Sequence, residues 1–473
     1  MGNMMPGPGG RARRDWTQGS ILKNLLLISW PMVVTQTMMS LGPTIDMIWV
    51  GRLGDAAMAA VGVSGVVVML AMGVMMGFTT GMLALISRAI GAKDVPAANR
   101  VAQQAAVVSA IYAAAIALIG QFLGRRILLL ITTDPDIVNL GTTYLRIEFI
   151  GGATMVFRMT MDVIMQASGD TVNPMWIAAV YRGFHIALCP FLIFGWWIFP
   201  EMGVAGAAVT GVIAQGLGVI LGLRVLLSAR SRLRLSFQGF RFDTGIIWNI
   251  VRIGIPASIA GIQRTASQFF LQVFMAPFGG AALAAHVIAQ RIEMLLFMPA
   301  MSFGMGAGVL VGQNLGARRP DRAERSAWLA VALVEAFAIV ISLAMLVWTG
   351  PVVRIFNQEP ALDAVAIQFV HIAIAGWVGI GFMFVLMNCL QSAGDTVPVM
   401  IMSIATTWLV TVLPAWLLPK YTDLGVAGVR WAISGTIIVG AVFNIIYFRT
   451  GRWKTRRVTG GGLAARVPGA VGA

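Results

Sequence analysis

Apolar runs recur along the whole 473-residue chain, and many reach the roughly 20 residues that an α-helix needs to cross a bilayer. Hydrophobic residues make up 58% of the chain and charged residues 11%, whereas a soluble domain carries about 25% charged residues. The runs are continuous rather than alternating, which excludes the strands of a transmembrane barrel. The sequence therefore predicts an all-α polytopic membrane protein.

Charged and Gly/Pro-rich connectors divide the chain into separate spans. We predict twelve of them, at residues 25–50, 57–86, 101–123, 142–167, 172–197, 204–227, 246–274, 281–312, 325–347, 363–390, 397–418 and 426–448. An even number of spans leaves both ends on one side of the membrane. Because both ends are basic, we expect both to be cytoplasmic, in a multi-pass protein of the plasma (inner) membrane.

The two halves of the chain are related by an internal duplication. "QASGDTVNP" at 166–174 matches "QSAGDTVPV" at 391–399, and the same shift relates Pro31 to Pro256. Each half holds six spans, so both halves enter the membrane in the same orientation. We predict twelve helices in two pseudo-two-fold-related six-helix lobes, with a cavity between them that opens alternately to each side. The predicted regions are an N-terminal cytoplasmic segment (1–24), an N-lobe (25–227), a linker (228–245), a C-lobe (246–448) and a basic cytoplasmic tail (449–473).

The net charge of +15 comes from Lys and Arg residues that cluster in the connectors. This distribution is typical of cytoplasmic loops, and its expected partner is anionic lipid. A nucleic acid is not favoured as the partner, because no aromatic residues are interleaved with these basic clusters. The two cysteines, Cys189 and Cys389, lie in apolar stretches and form neither a disulfide framework nor a metal-binding motif.

Several motifs together resemble the multidrug and toxic compound extrusion (MATE) family. They are the helix-opening Pro31 and Pro256, "VGRLGDAAMAAVG" at 50–62, "LVGQNLGA" at 310–317 and both "GDT" turns. The resemblance implies a monomeric secondary antiporter that exports cationic or amphiphilic compounds in exchange for protons or sodium ions. It implies no cofactor. A flippase of an amphipathic lipid-linked metabolite is the alternative, although twelve spans rather than fourteen argue against it. An enzyme is not expected, because no nucleophile–base set or metal cluster is recognisable.

Asp46 lies within the first span, fifteen residues after Pro31. The resemblance implies that it is the family's first-helix acid, which takes part in cation coupling. A charged Asp at mid-helix costs roughly 2.5–3.5 kcal/mol. A proton, a sodium ion or a cationic drug would each remove that cost, in competition with one another. The alternative is that Asp46 lies near the end of the span and is hydrated.

The fifth span departs from the family pattern. Where one branch has an Asn and an Asp of a proton site, this chain has His185 and Cys189. Histidine exchanges protons near neutral pH, so His185 is a candidate coupling residue, with a packing role as the alternative. Arg158 and Asp162 are four residues apart on one helix face. They form either an internal ion pair or, through Asp162, a second proton site.

The C-lobe lacks the acids of another family branch, and Arg264 occupies one of their positions. We predict that Arg264 pairs with Glu335 or attracts an anionic group. Further candidate substrate contacts are polar or polarisable residues inside spans: Gln36, Met39, Cys189, Gln166, His286, Gln290 and Glu293. The last three have a structural polar network as their alternative. No metal site is predicted beyond a sodium ion at Asp46.

Overall fold

The computed structural model of the protein describes residues 4–6, 12–228, 231–356 and 360–456. The predictions for 1–3, 7–11, 229–230, 357–359 and 457–473, in the N-terminal segment, the linker, the C-lobe and the tail, lie outside these residues. The described chain is almost wholly helical, apart from a short antiparallel pair, β1 (Met4–Pro6) and β2 (Ala12–Arg14). Its helices are α1 (Ile21–Val50), α2 (Asp55–Gly91), α3 (Val95–Leu129), α4 (Pro135–Ala167), α5 (Val172–Phe194), α6 (Val204–Leu227), α7 (Thr244–Met275), α8 (Gly280–Gly316), α9 (Pro320–Phe356), α10 (Pro360–Trp377), α11 (Ile380–Ser392), α12 (Thr396–Ala405), α13 (Leu413–Tyr421) and α14 (Val426–Arg449).

The predicted all-α polytopic fold is confirmed. Within the described residues, ten helical segments are long and apolar enough to cross a membrane, and α10 with α11 forms an eleventh that is bent by 52°. A π-helical segment, Thr406–Val412, joins α12 to α13 within one of these spans. The remaining predicted span, 142–167, corresponds to α4, which is 33 residues long but carries Arg146, Glu148, Arg158 and Asp162. Charge therefore separates α4 from the other spans, and length does not.

The chain forms two compact units. Unit 1 contains the described residues within 1–18 and 34–254, and unit 2 those within 19–33 and 255–458. The units differ from the predicted lobes at 25–33 and 246–254, because α1 and α7 each contribute to both units. The predicted lobe boundaries took each helix as belonging wholly to one half.

Each unit is organised around the same member of the repeat. In unit 1, α4 packs against α2, α3 and α6, and α5 packs against α6. In unit 2, the bent pair α10–α11 packs against α8, α9 and α14. The duplication read from the sequence is thus also a duplication of helix packing.

The backbone repeats the same local conformations in both halves. Gly169 and Gly394, in the two "GDT" turns, have φ values of 85° and 81°. These left-handed values disfavour residues with a Cβ. Lys93 and Arg318, which follow α2 and α8, have φ values of 62° and 57° although they are not glycines. Such conformations are uncommon for long side chains, so their recurrence at equivalent positions supports a common origin of the two turns.

Glycine lets the first part of α7 and the first part of α1 approach their neighbours closely. In unit 1, a Cβ on Gly81 of α2 would collide with the carbonyl of Ile250 in α7. In unit 2, a Cβ on Gly306 of α8 would collide with Ser29 in α1. Gly81 and Gly306 are equivalent in the repeat, so each unit contains the same close helix contact.

Candidate functional site

The side chains of Asp46, His185 and Cys189 meet inside unit 1. Nε2 of His185 lies 3.3 Å from Oδ1 of Asp46, and the Cys189 thiol donates to the same oxygen over 3.5 Å. His185 and Cys189 are buried, whereas the Asp46 side chain is 18% exposed. The structure therefore brings together three residues that the sequence nominated from two distant spans, and leaves the carboxylate partly open.

Helix periodicity explains how α5 presents its part of the site. Arg182, His185 and Cys189 follow one another at spacings of three and four residues, which places them on one face. Cys189 packs in a core cluster with Val50 and Tyr144, so the thiol is held between the end of α1 and α4. Apolar packing around Cys189 thus fixes the orientation of the α5 face that contacts Asp46.

Arg182 closes the other side of His185. Its Nη1 lies 3.5 Å from Nδ1 of His185, and its Nη2 donates to the carbonyl of Met39 over 3.4 Å. Gly42 of α1 makes this possible, because a Cβ there would collide with the Arg182 guanidinium. A guanidinium cannot accept a hydrogen bond, so in this arrangement Nδ1 is the acceptor and Nε2 carries the proton that faces Asp46.

Asp162 lies in a second polar group of unit 1. It forms a buried ion pair with Arg158, whose Nε also donates to Gln215 over 2.5 Å. The Arg158 guanidinium lies 5.0 Å from the ring centre of Tyr181, and Arg182 lies 5.4 Å from the same ring. Tyr181 therefore lies between two polar groups. Arg158, which pairs with Asp162, and Arg182, which contacts His185 beside Asp46, both lie near its ring.

Glu148 in α4 is an intramembrane acid that the sequence reasoning missed. It lies close enough to Asp46 for their charges to interact, and Tyr144 lies within the same reach of both acids. Glu148 also lines a cavity of about 20 Å³ with Met75 and Tyr112, a volume that suffices for one water molecule. The signal was present, because Glu148 is an acid inside a predicted span.

The predicted C-lobe cluster is divided by the structure. Arg430 of α14 is 1% exposed and forms an ion pair with Glu293, while its Nη1 lies 3.2 Å from Nδ1 of the buried His286. Gln290 points elsewhere and donates to Gln268 over 2.9 Å. The geometry of His286 and Glu293 thus agrees with the structural-network alternative. Arg430 itself was missed, since it is 137 residues away from Glu293 in sequence.

The predicted pairing of Arg264 with Glu335 does not occur among the ion pairs of the described residues. Oε1 of Glu335 instead accepts the backbone N–H groups of Gly381 and Phe382, over 2.9 and 3.1 Å. These N–H groups begin α11, where the break after α10 leaves them without helical acceptors. Arg264 lies 3.7 Å from the sulfur of Met387. The break between α10 and α11 was not predicted from the sequence. Its free N–H groups are the hydrogen-bond donors to the Glu335 carboxylate, in place of Arg264.

Three further predicted contact residues lie in unit 1. Gln36 and Met39 are half-buried on α1, and Gln166 is buried near the end of α4. Within the described residues, Oε1 of Gln166 has no hydrogen-bond partner. The Met39 carbonyl accepts from Arg182, whereas within the described residues neither glutamine hydrogen-bonds to Asp46, Arg182, His185 or Cys189.

Unit 2 carries an open apolar depression of about 500 Å³ on its surface. It is lined by Phe274, Trp408, Leu409, Val412, Leu413 and Trp416. Leu409, Leu413 and Trp416 are exposed, so the depression is open rather than enclosed. The π-helical segment between α12 and α13 provides three of its residues.

Known proteins resemble this chain over nearly its whole length. The probable multidrug resistance protein YpnP of Bacillus subtilis is 25% identical over 94% of this chain and 98% of its own. The probable multidrug resistance protein NorM of Thermotoga maritima is 24% identical over 93% and 94%. Among solved structures, a MATE transporter in complex with MaL6 has a TM-score of 0.86 at 23% identity, covering 92% of this chain and 97% of its own. That likeness supports the fold.

The sequence profile of the MatE family matches residues 31–191 and 256–417, one region in each half of the repeat. The match covers more than half of the chain and includes Asp46, His185 and Cys189. Family and fold indicate a transporter rather than an enzyme, with small molecules as its substrates. The chain belongs to the MatE family of multidrug efflux transporters.

Proposed function

We propose that this protein exports cationic or amphiphilic compounds in exchange for protons, or sodium ions, by alternating access. Asp46 is the exchange site: it binds either the small cation or the positively charged compound, and the two compete. Binding of the small cation weakens binding of the compound and favours its release to the outside.

Support comes from the difference between Asp46 and two other intramembrane acids. Asp162 is neutralised by Arg158 and Glu293 by Arg430, and an arginine does not lose its charge. In the described part of the chain, the ion-pair partner of Asp46 is His185, and a histidine, unlike an arginine, does not carry a fixed charge. Asp46 is also the most exposed of the three acids, at 18% of its side chain against 11% and 9%. It is thus the acid best placed to exchange its counter-ion.

Glu148 extends this site. It adds a second carboxylate close enough to Asp46 for their charges to interact. A positively charged ion or compound at Asp46 is therefore attracted by both carboxylates. We include Glu148 with Asp46 and His185 as a coupling residue, and we place Asp162 behind Tyr181 as an indirect contributor.

The substrates are small molecules with an apolar body. The open depression of unit 2 exposes aromatic side chains that suit contact with such a body. Multidrug resistance is the function named for the Bacillus subtilis and Thermotoga maritima relatives. Both relatives are bacterial, which favours the plasma membrane, and the basic ends favour cytoplasmic termini.

Dye efflux from proteoliposomes tests this function. The purified protein is reconstituted with a fluorescent cationic dye inside, and efflux is measured under a pH gradient alone and then under a sodium gradient alone. We expect a gradient to drive efflux in the wild type, and Asp46→Asn to abolish gradient-driven efflux. Asp136→Asn, which changes an exposed acid at the start of α4 in the same unit, is the matched control.

Two results would contradict the proposal. Efflux by a folded Asp46→Asn variant at the wild-type rate would remove Asp46 from the mechanism. Wild-type efflux that depends on neither gradient would remove antiport.

A further inference from the structure

The Asp46 group has the composition of a metal site. Asp46 offers a carboxylate oxygen, His185 a ring nitrogen and Cys189 a sulfur, and these atoms all lie within 4.8 Å of one another. Asp46 lies on α1, and His185 and Cys189 lie on α5. Asp46 and Cys189 are 143 residues apart in the sequence. The grouping follows from the tertiary structure, which is why no sequence motif announced it.

We propose that Asp46, His185 and Cys189 bind a divalent transition-metal ion of the zinc class. Cysteine sulfur, histidine nitrogen and carboxylate oxygen are the protein ligands of Zn²⁺, and bonds of about 2.0–2.3 Å in a tetrahedron place neighbouring ligand atoms roughly 3.3–3.6 Å apart. The nitrogen and the sulfur lie 3.3 and 3.5 Å from Oδ1 of Asp46. Two edges of the tetrahedron are therefore already formed.

The ligand types select against the hard divalent cations. Magnesium and calcium prefer several oxygen ligands, whereas a thiolate and an imidazole favour zinc and other softer ions.

Access and coordination number are consistent with an exchangeable ion. His185 and Cys189 are buried, so an ion reaches the group from the partly exposed side of Asp46. Three protein ligands leave the fourth tetrahedral position for water, as in zinc sites that exchange a ligand. On binding, the thiol proton is released to water. His185 remains neutral, because it loses the proton on Nε2 and gains one on Nδ1, so one proton is released overall.

Arg182 opposes this binding and provides a test of it. Coordination through Nε2 leaves Nδ1 protonated, and a metal-bound histidine donates that proton to an acceptor. Nδ1 now faces the Arg182 guanidinium at 3.5 Å, which cannot accept and adds a positive charge. The arginine must therefore move away when the metal binds. Replacing it with glutamine supplies an acceptor and removes the charge, so Arg182→Gln is expected to bind the metal more tightly.

Metal binding has a consequence for transport, and this consequence rests on the proposed function. A metal ion at Asp46 occupies the oxygen that would otherwise hold the coupling cation or the compound. It also fastens α1 to α5. Zinc is therefore expected to inhibit efflux, while the binding itself does not depend on how efflux is driven.

Cobalt absorption tests the binding directly. The purified protein in detergent is titrated with Co²⁺, which absorbs visible light whereas Zn²⁺ does not. The bound cobalt is then displaced with Zn²⁺. We expect a thiolate-to-cobalt charge-transfer band and the visible bands of tetrahedral cobalt, both lost on adding zinc. Cys189→Ser should abolish the charge-transfer band. Cys389→Ser, which changes the other buried cysteine, in α11, should keep it.

A second variant keeps the test valid if Cys189→Ser does not fold. His185→Asn retains the thiol and should lower zinc affinity by more than the roughly 10–100-fold that loss of an outer-shell partner causes. Absence of the charge-transfer band in the wild type, or an unchanged band in folded Cys189→Ser, would overturn the site. So would unchanged zinc affinity in His185→Asn.

Efflux measurements separate the site from the proposed function. In proteoliposomes, zinc is expected to slow wild-type and Cys389→Ser efflux, each measured against its own rate without zinc. Zinc that binds with the expected spectrum but leaves efflux unchanged would preserve the metal site and contradict exchange at Asp46. Absence of the cobalt spectrum together with Asp46-dependent efflux would contradict the metal site and support exchange at Asp46.

Discussion

Replacing Glu293 distinguishes a structural role from a substrate contact in unit 2. Glu293 and Arg430 form a buried ion pair, with side chains 9% and 1% exposed. Glu293→Ala removes the carboxylate and leaves the Arg430 cation enclosed beside His286. Removing one member of a buried pair costs about 3–5 kcal/mol, because the remaining charge is neither solvated nor balanced. We expect the free energy of unfolding to fall by this amount.

The assay is equilibrium unfolding of the purified protein in mixed micelles, followed by helical circular dichroism. The double variant Glu293→Leu with Arg430→Met should recover most of the loss, since apolar side chains of similar volume replace both charges. Gln290→Ala, on the same helix and hydrogen-bonded to Gln268, is the control and should change stability little. A Glu293→Ala protein of wild-type stability but weakened compound binding would refute the structural role and restore the substrate contact.

Two further substitutions test other features of the structure. Glu335→Ala leaves one buried and one partly buried N–H group at the start of α11 without their acceptor, and the buried one costs about 1–3 kcal/mol. Unfolding measurements check this, and an unchanged stability would contradict the capping role. Gly42→Ala places a methyl group against the Arg182 guanidinium and should displace it from His185, changing the binding of a cationic dye in fluorescence titrations; unchanged binding would contradict the contact.

Much of the fold follows from the sequence because the membrane imposes a simple rule. Apolar runs must be helical in lipid, since the backbone can be satisfied only within the helix. Most predicted limits therefore lie inside the observed helices, which generally continue beyond them into polar residues. The α9 helix, for example, extends over 320–356 where 325–347 was predicted. Hydropathy marks where the chain is in lipid, and the helix does not end at that boundary.

The break between α10 and α11 was not predicted, and it changed the role of Glu335. The segment around 376–381 contains several glycines within an apolar run, which is compatible with either a straight or a broken helix. The structure selects the break because the Glu335 carboxylate, from α9, supplies the acceptor for the freed N–H groups. Such a contact depends on the packing of two helices, which local sequence does not specify.

The candidate site was partly predictable for a similar reason. Asp46, His185 and Cys189 were nominated individually, because polar groups are conspicuous among apolar residues. Their meeting depends on how α1 packs against α5 in unit 1. Arg182 approaches α1 only because Gly42 leaves room for it, and Arg430 reaches Glu293 across 137 residues of sequence. Spacing along one helix reveals neither contact.

The exchange of occupants at Asp46 is tested most directly by the release of its small cation when a compound binds. The purified protein in weakly buffered detergent solution is mixed with a cationic dye, and a pH indicator records proton release; displacement of labelled sodium is recorded in parallel. Exchange predicts that wild-type protein releases one of these ions in proportion to the dye bound, and that Asp46→Asn binds dye without release. Dye binding by the wild type with no release of either ion, or equal release by Asp46→Asn, would contradict it.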